Sequence, residues 1–150
     1  SCLTREVRES ISRAIGFNLA SDTNRELVYK YIYTLKDLRN AIAHNSVVFD
    51  ARFRNIDPSS AMKQCLMQDV KLPYINFKTI GDYVILICYY LVGLAIEKEE
   101  VLAFINNFID ATTCFQSSVS MSVSSMVVHP DLMRRMSILK SFVEKAYVRP

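Results

Sequence analysis

Apolar residues recur at helical spacing along most of the chain, in blocks parted by charged, proline-bearing or serine-rich joints. Val7, Ile11 and Ile15 predict a short first helix that stops at Gly16. Thr23 with Glu26 three positions later has the pattern of a capping box. From there Leu27, Tyr31, Leu35, Leu38 and Ile42 step by four or three residues, one stripe on a long helix running to about His44. Asp57-Pro58 marks another start, because proline at the first helical position loses no needed donor. A helix from about Ser59 to Asp69 follows and closes before Pro73. The segment from Asn76 to Ile96 carries a broad apolar face through Ile80, Tyr83, Val84, Ile87, Tyr90, Leu91 and Leu94. A charged joint, Glu97-Lys98-Glu99-Glu100, precedes a helix bearing Val101, Leu102, Ile105, Phe108 and Ile109. Beyond Pro130, Leu132 to about Tyr147 makes a last amphipathic helix.

Between Ser117 and Ser125 six of nine residues are serine, a composition that suits a linker. Phe115, Val119, Val123 and Met126 nonetheless keep helical spacing, while Val119, Met121 and Val123 would also suit a strand. No internal repeat appears. The pattern predicts an all-α bundle forming a single domain over residues 1–150.

Composition adds bounds. A hydrophobic content of 51% with only three glycines belongs to a compact helical protein rather than a disordered one. The net charge of +3 permits contact with nucleic acid without demanding it. Cys2, Cys65, Cys88 and Cys114 are scattered, with no CxxC pair, which excludes the usual zinc frameworks and fits reduced thiols in a cytoplasmic protein. Cys88, inside an apolar run, is read as buried and inert. The longest apolar run, Val84 to Ile96, is shorter than the roughly 20 residues a bilayer requires, so no membrane association is expected. No signal peptide is visible.

Candidate chemistry is concentrated in Arg39-Asn40-Ala41-Ile42-Ala43-His44, since His44 and His129 are the only imidazoles. On a wheel of about 100° per residue the apolar stripe occupies one side of the long helix. Asn40 and His44 fall opposite it, one turn apart, with Tyr33, Lys36 and Ala43 close by, and Arg39 lies at the border. Cleavage of a phosphodiester fits these residue types. A histidine can move a proton to or from a ribose hydroxyl, an arginine can hold the phosphate as its charge grows, and an amide can orient either. No metal or other cofactor is needed. A histidine near a helix end can also simply meet the helix dipole. Lys36, Arg52 and Arg54 are candidates to line an RNA path. Arg134 and Arg135 read as the exposed face of the last helix, Tyr89-Tyr90 as core packing, and His129 as a turn residue beside Pro130.

The stretch Leu38-Arg39-Asn40-Ala41-Ile42-Ala43-His44-Asn45-Ser46-Val47-Val48-Phe49 resembles the signature of the Abi-like (abortive infection) proteins, a branch of the HEPN superfamily. Members carry an arginine, a polar neighbour and a histidine four to six residues further on. The run Phe77-Lys78-Thr79-Ile80-Gly81-Asp82-Tyr83 also resembles that family, in which an aromatic residue and an Asp-Tyr pair open the next long helix. The resemblance covers Thr23 to Phe108 and, more loosely, the tail. It implies a HEPN-like helical bundle that pairs as a homodimer, bringing two Arg–His motifs into one composite site. It further implies a metal-independent endoribonuclease of phage defence or a toxin–antitoxin system, with RNA as substrate and an antitoxin or regulatory partner. By the resemblance Arg39 and His44 are the catalytic pair and Asn40 their support.

The chain departs from the family pattern at three points. Asn45 stands where many relatives carry a second histidine. No tyrosine follows His44 at short range, so tyrosine-modification control is not supported. The motif, usually deep in a longer chain, begins at residue 39, which implies that this is the carboxy-terminal part of a longer protein. A non-catalytic HEPN-like module that binds RNA or a protein partner is the rival reading, and a structural dimerisation domain is the third.

Overall fold

The computed structural model describes residues 4–15, 26–48 and 57–147, and every regular element among them is a helix. In chain order these are α1 (Arg5–Ala14), α2 (Leu27–Ala43), α3 (Ser60–Val70), α4 (Ile80–Gly93), α5 (Lys98–Ser118), α6 (Met121–Val127) and α7 (Leu132–Ala146). The all-α bundle that the periodicity predicts is the fold observed. Thr23, Cys2, Arg52 and Arg54 lie outside the described residues.

Helix α4 is the centre of the bundle. Its run of apolar side chains leaves little for water to solvate, so the stable arrangement surrounds it. Tyr83, Val84, Ile85, Leu86, Cys88 and Tyr89 are buried, and α2, α3, α5 and α7 all pack against it. Each fully buried Leu or Ile here contributes about 1.5–3 kcal/mol relative to an exposed one. At its far end Gly93 meets α1 closely: a Cβ there would stand 2.5 Å from the carbonyl oxygen of Ile15, so no other residue fits without moving that backbone. The Tyr147 hydroxyl donates to the carbonyl of Ile96 and closes the end of α7 onto the α4–α5 turn.

Several boundaries differ from the sequence reading, each for a local reason. Pro58 precedes the cap rather than opening α3, because Ser59 is the N-cap and its hydroxyl accepts from the Met62 amide at 3.3 Å. Helix α4 starts at Ile80, not Asn76: the Asn76 side chain accepts from the Lys78 amide at 2.9 Å, and Phe77 is left-handed at φ 57°. Helix α5 runs on through Ser118, and after Ser120 the chain re-enters helix as α6. The serine-rich stretch is therefore helical, with Ser117 and Ser118 hydroxyls both returned to the carbonyl of Cys114 at 2.8 and 2.7 Å.

Helix α2 lies against α3 and α4 through Leu27, Val28, Tyr31, Thr34, Leu38 and Ala41. Tyr31 meets Tyr89 and Tyr90 edge-on at 5.9 and 5.8 Å, and the Tyr90 hydroxyl donates to the carbonyl of Val28 at 3.0 Å. Ile42, assigned by spacing to the core stripe, is instead 61% exposed, and Ala41 takes the buried place. The buried positions step 27, 31, 34, 38, 41, and residues 42–47 after them are exposed.

Arg135 is the other correction. Expected on the exposed face of the last helix, it is 2% exposed, and its guanidinium is paired with Asp82, which is fully buried. It also lies over the Tyr74 ring at 4.9 Å and donates to the Tyr74 carbonyl at 3.5 Å. The pair ties the first turn of α4 to the first turn of α7. Breaking a buried pair by removing one partner costs about 3–5 kcal/mol, because the survivor keeps an uncompensated charge. Urea unfolding of Asp82→Leu and of Arg135→Met should each show a loss of that order, and the double variant should recover most of it. A double variant as unstable as the sum of the singles would show that the pair does not act as a unit.

Candidate functional site

The motif occupies the last turns of α2, and the end of that helix sets where its histidine stands. His44 is the C-cap, and the Asn45 amide returns to the Ile42 carbonyl at 3.1 Å while the Ser46 amide returns to that of Ala41 at 2.8 Å. That is a Schellman closure, which needs a left-handed residue after the cap. Asn45 supplies it with φ 56°, a conformation that asparagine tolerates better than most residues. The asparagine found where many Abi-like proteins have a second histidine thus has a backbone role here. It stops the helix directly after His44 and holds the backbone that carries the imidazole.

Arg39, Ala43 and His44 are exposed and Asn40 is half-buried, all off the side of α2 that packs on the bundle. The Arg39 guanidinium donates to the Asn40 side-chain oxygen at 3.1 Å. The structure thus brings Arg39 and Asn40 together. The His44 ring has no hydrogen bond or ion pair within the described residues. Lys36 is exposed on the same side, its ammonium 5.1 Å from the centre of the Tyr33 ring. Ile42 within the motif and Val47 just after it are exposed apolar side chains.

The motif lines neither of two cavities in the bundle. One, of about 860 Å³, opens between α3, α4 and α7 and is lined by Asp69, Lys71, Tyr89, Ser137, Phe142 and Lys145 among others. There the Tyr89 hydroxyl donates to Asp69 at 2.5 Å and the Cys65 thiol to the same carboxylate at 3.6 Å. Burial and the neighbouring carboxylate push the Tyr89 phenol far up, and burial pushes the Cys65 thiol up as well. Burial likewise raises Cys88 to about 12, so neither thiol is a ready nucleophile. The second cavity, of about 230 Å³, is largely apolar and lies beside Phe108, Phe115, Val128 and Leu132. Tyr89 is core packing as expected, and Tyr90 is half-buried against it.

His129 is the turn residue the sequence suggests, with a defined setting. Its Nδ1 lies 3.3 Å from the Tyr74 hydroxyl and accepts from the Asp131 amide at 3.2 Å. The Tyr74 hydroxyl also donates to Asp131, which Arg134 holds at 3.2 Å, and that arginine keeps the carboxyl below its usual range. The ring stands at the outer end of the Asp82–Arg135–Tyr74 chain, with every neighbour protein-bound. Sequence reasoning missed this chain because its members come from residues 74, 82, 129, 131 and 135, which only the fold juxtaposes. The one available signal was Asp82, a carboxylate in the most apolar helix.

Among the described residues no three His, Cys, Asp or Glu side chains gather to hold a metal ion. No helix there is long and apolar enough to cross a membrane. Compared with protein-family models, with curated proteins and with solved structures, the chain finds no match.

Proposed function

We propose that the protein is a metal-independent endoribonuclease of the HEPN kind, acting in abortive-infection phage defence or a toxin–antitoxin pair, with Arg39 and His44 as its catalytic pair. The observation that carries this reading is the exposed His44 imidazole, which has no side-chain partner among the described residues, five positions after an exposed arginine that contacts Asn40. Among the described residues the fold holds Arg39 only through Asn40 and His44 through no side-chain contact, which leaves both for a ligand. The resemblance of Arg39-Asn40-Ala41-Ile42-Ala43-His44 to the Abi-like signature supplies the reaction.

In that reaction His44 takes the proton of a ribose 2′-hydroxyl, and the freed oxygen attacks the adjacent phosphorus. The bond from phosphorus to the 5′-oxygen breaks, and the leaving oxygen takes up a proton from an imidazolium, leaving a cyclic phosphate. Arg39 faces the phosphoryl oxygens, where negative charge grows, and Asn40 limits the orientations its guanidinium can take. Lys36 adds charge along the approach. The motif is exposed and lines neither of the two cavities described, so a second copy facing it would supply a wall and a second imidazole. Exposed Ile42, Val47 and the small Ala43 offer that copy an apolar contact around the motif.

Incubation with total RNA in excess chelator should give cleavage by the parent, and His44→Ala or Arg39→Ala should each lose it by about 100-fold or more. Both variants should unfold like the parent, since both side chains are exposed, and the double variant should be little worse than either single one. A folded His44→Ala protein that cuts as well as the parent would end the enzyme reading of this motif. Light scattering should show a dimer, and Ile42→Glu should shift it to monomer and slow cleavage at low protein concentration. A parent that stays monomeric at high concentration contradicts the composite site.

A further inference from the structure

The exposed side of α2 does not end at the motif. Tyr29, Tyr33, Lys36, Asn40 and His44 fall within about 80° of one another around the helix, at steps of four, three, four and four residues. The Tyr29 and Tyr33 rings touch, with centroids 4.4 Å apart and planes tilted by 50°. Tyr33 is 47% exposed, and Lys36 stands over its ring at 5.1 Å. The neighbouring Tyr33 side chain holds the Tyr29 phenol above its ordinary range. Elsewhere in the bundle Tyr31 and Tyr83 are fully buried and Tyr89 nearly so, while half-buried Tyr74, Tyr90 and Tyr147 are hydrogen-bonded within the bundle.

We propose that Tyr29 and Tyr33 form a base-stacking platform that seats a single-stranded RNA on α2 and leads it, past Lys36, to Arg39 and His44. The platform rests on the ribonuclease reading and names the form of substrate it takes. Aromatic rings stack on bases of any sequence, and cations beside them follow the backbone. From Tyr33 to His44 is about 16 Å along the helix axis, a reach of a few nucleotides in an extended strand. Paired RNA cannot use such a platform, because its bases are already stacked.

Charge favours a polyanion over a protein here. On this side Ile32, Tyr33, Lys36, Arg39, Ala43 and His44 are exposed and Tyr29 and Asn40 half-buried. They include two cations and no carboxylate, while half-buried Asp37 and Glu26 border them, Glu26 paired with Lys30 at 2.9 Å. A second copy laid along Tyr33–Lys36 would set cations against cations, whereas the apolar contact proposed for dimerisation lies at Ile42 and Val47, at the other end.

The test is fluorescence anisotropy with an uncleavable 2′-O-methyl strand of about twelve nucleotides, single-stranded and as a duplex, beside cleavage of the matching ribose strand. Tyr33→Ala should weaken single-strand binding by about 10-fold or more, and Tyr29→Ala should weaken it in the same direction. Tyr33→Phe should bind near the parent, Tyr33→Leu should not rescue, and the duplex should bind weakly throughout. Parental binding by Tyr33→Ala, with cleavage by the parent still dependent on His44, refutes the platform and leaves the ribonuclease reading standing. A parent that neither binds nor cuts removes the ribonuclease reading and the platform with it. If Tyr33→Ala turns a dimer into a monomer in sedimentation, the face is a protein contact and the platform is wrong.

Discussion

The buried pairing of Asp82 with Arg135 is the constraint on which the bundle's arrangement depends. Helix α4 is apolar on nearly every side, and a helix of that kind can rotate or slide among its neighbours at little cost in burial. A carboxylate in its first turn, out of reach of water, removes that freedom, because only one rotation brings Asp82 to the guanidinium on α7. Once α4 is fixed, Tyr90 finds the Val28 carbonyl and Tyr31 finds the two tyrosines of α4. The rotation of α2 about its own axis follows from those contacts. What they turn inward is Leu27, Val28, Tyr31, Thr34, Leu38 and Ala41, and what they turn outward is the motif.

The placement of the motif therefore has a structural cause. Arg39 and His44 are exposed because the core claims the opposite side of α2, and the imidazole stands at the helix end because Asn45 can be left-handed there. The Arg39–Asn40 contact, between an exposed residue and its half-buried neighbour, would contribute little to stability. In the proposed reading the cation, amide and imidazole on this face meet an external phosphate. The motif lines neither of the two cavities described, and in the proposed dimer a partner copy and the substrate would complete its walls.

How much of this was legible in the sequence depended on how local each determinant is. The helices were legible because period and joints are local, and Asn40 and His44 could be set off the core from the wheel alone. Ile42 was misplaced because spacing alone does not reveal where neighbouring elements stop covering a helix face: Ala41 is buried and Ile42, one position later, is exposed. Arg135 was misplaced for the converse reason: an arginine on an amphipathic helix reads as exposed until its partner, 53 residues away, is known. The serine stretch resisted reading because its hydroxyls can return to helix carbonyls as readily as they can face water. Tyr33 was seen near the motif, but its partnership with Tyr29 and Lys36 needed rotamers that no sequence pattern supplies.

The central claim is that the exposed face of α2 activates a ribose hydroxyl against its own phosphodiester. The most direct measurement is the mass of the products from a DNA strand carrying a single ribose, incubated with the protein in chelator. The account predicts one cut, on the 3′ side of that ribose, leaving a 2′,3′-cyclic phosphate on one fragment and a 5′-hydroxyl on the other, and no cut in the all-deoxy strand. Cleavage of the all-deoxy strand, or fragments bearing a 5′-phosphate, would contradict it.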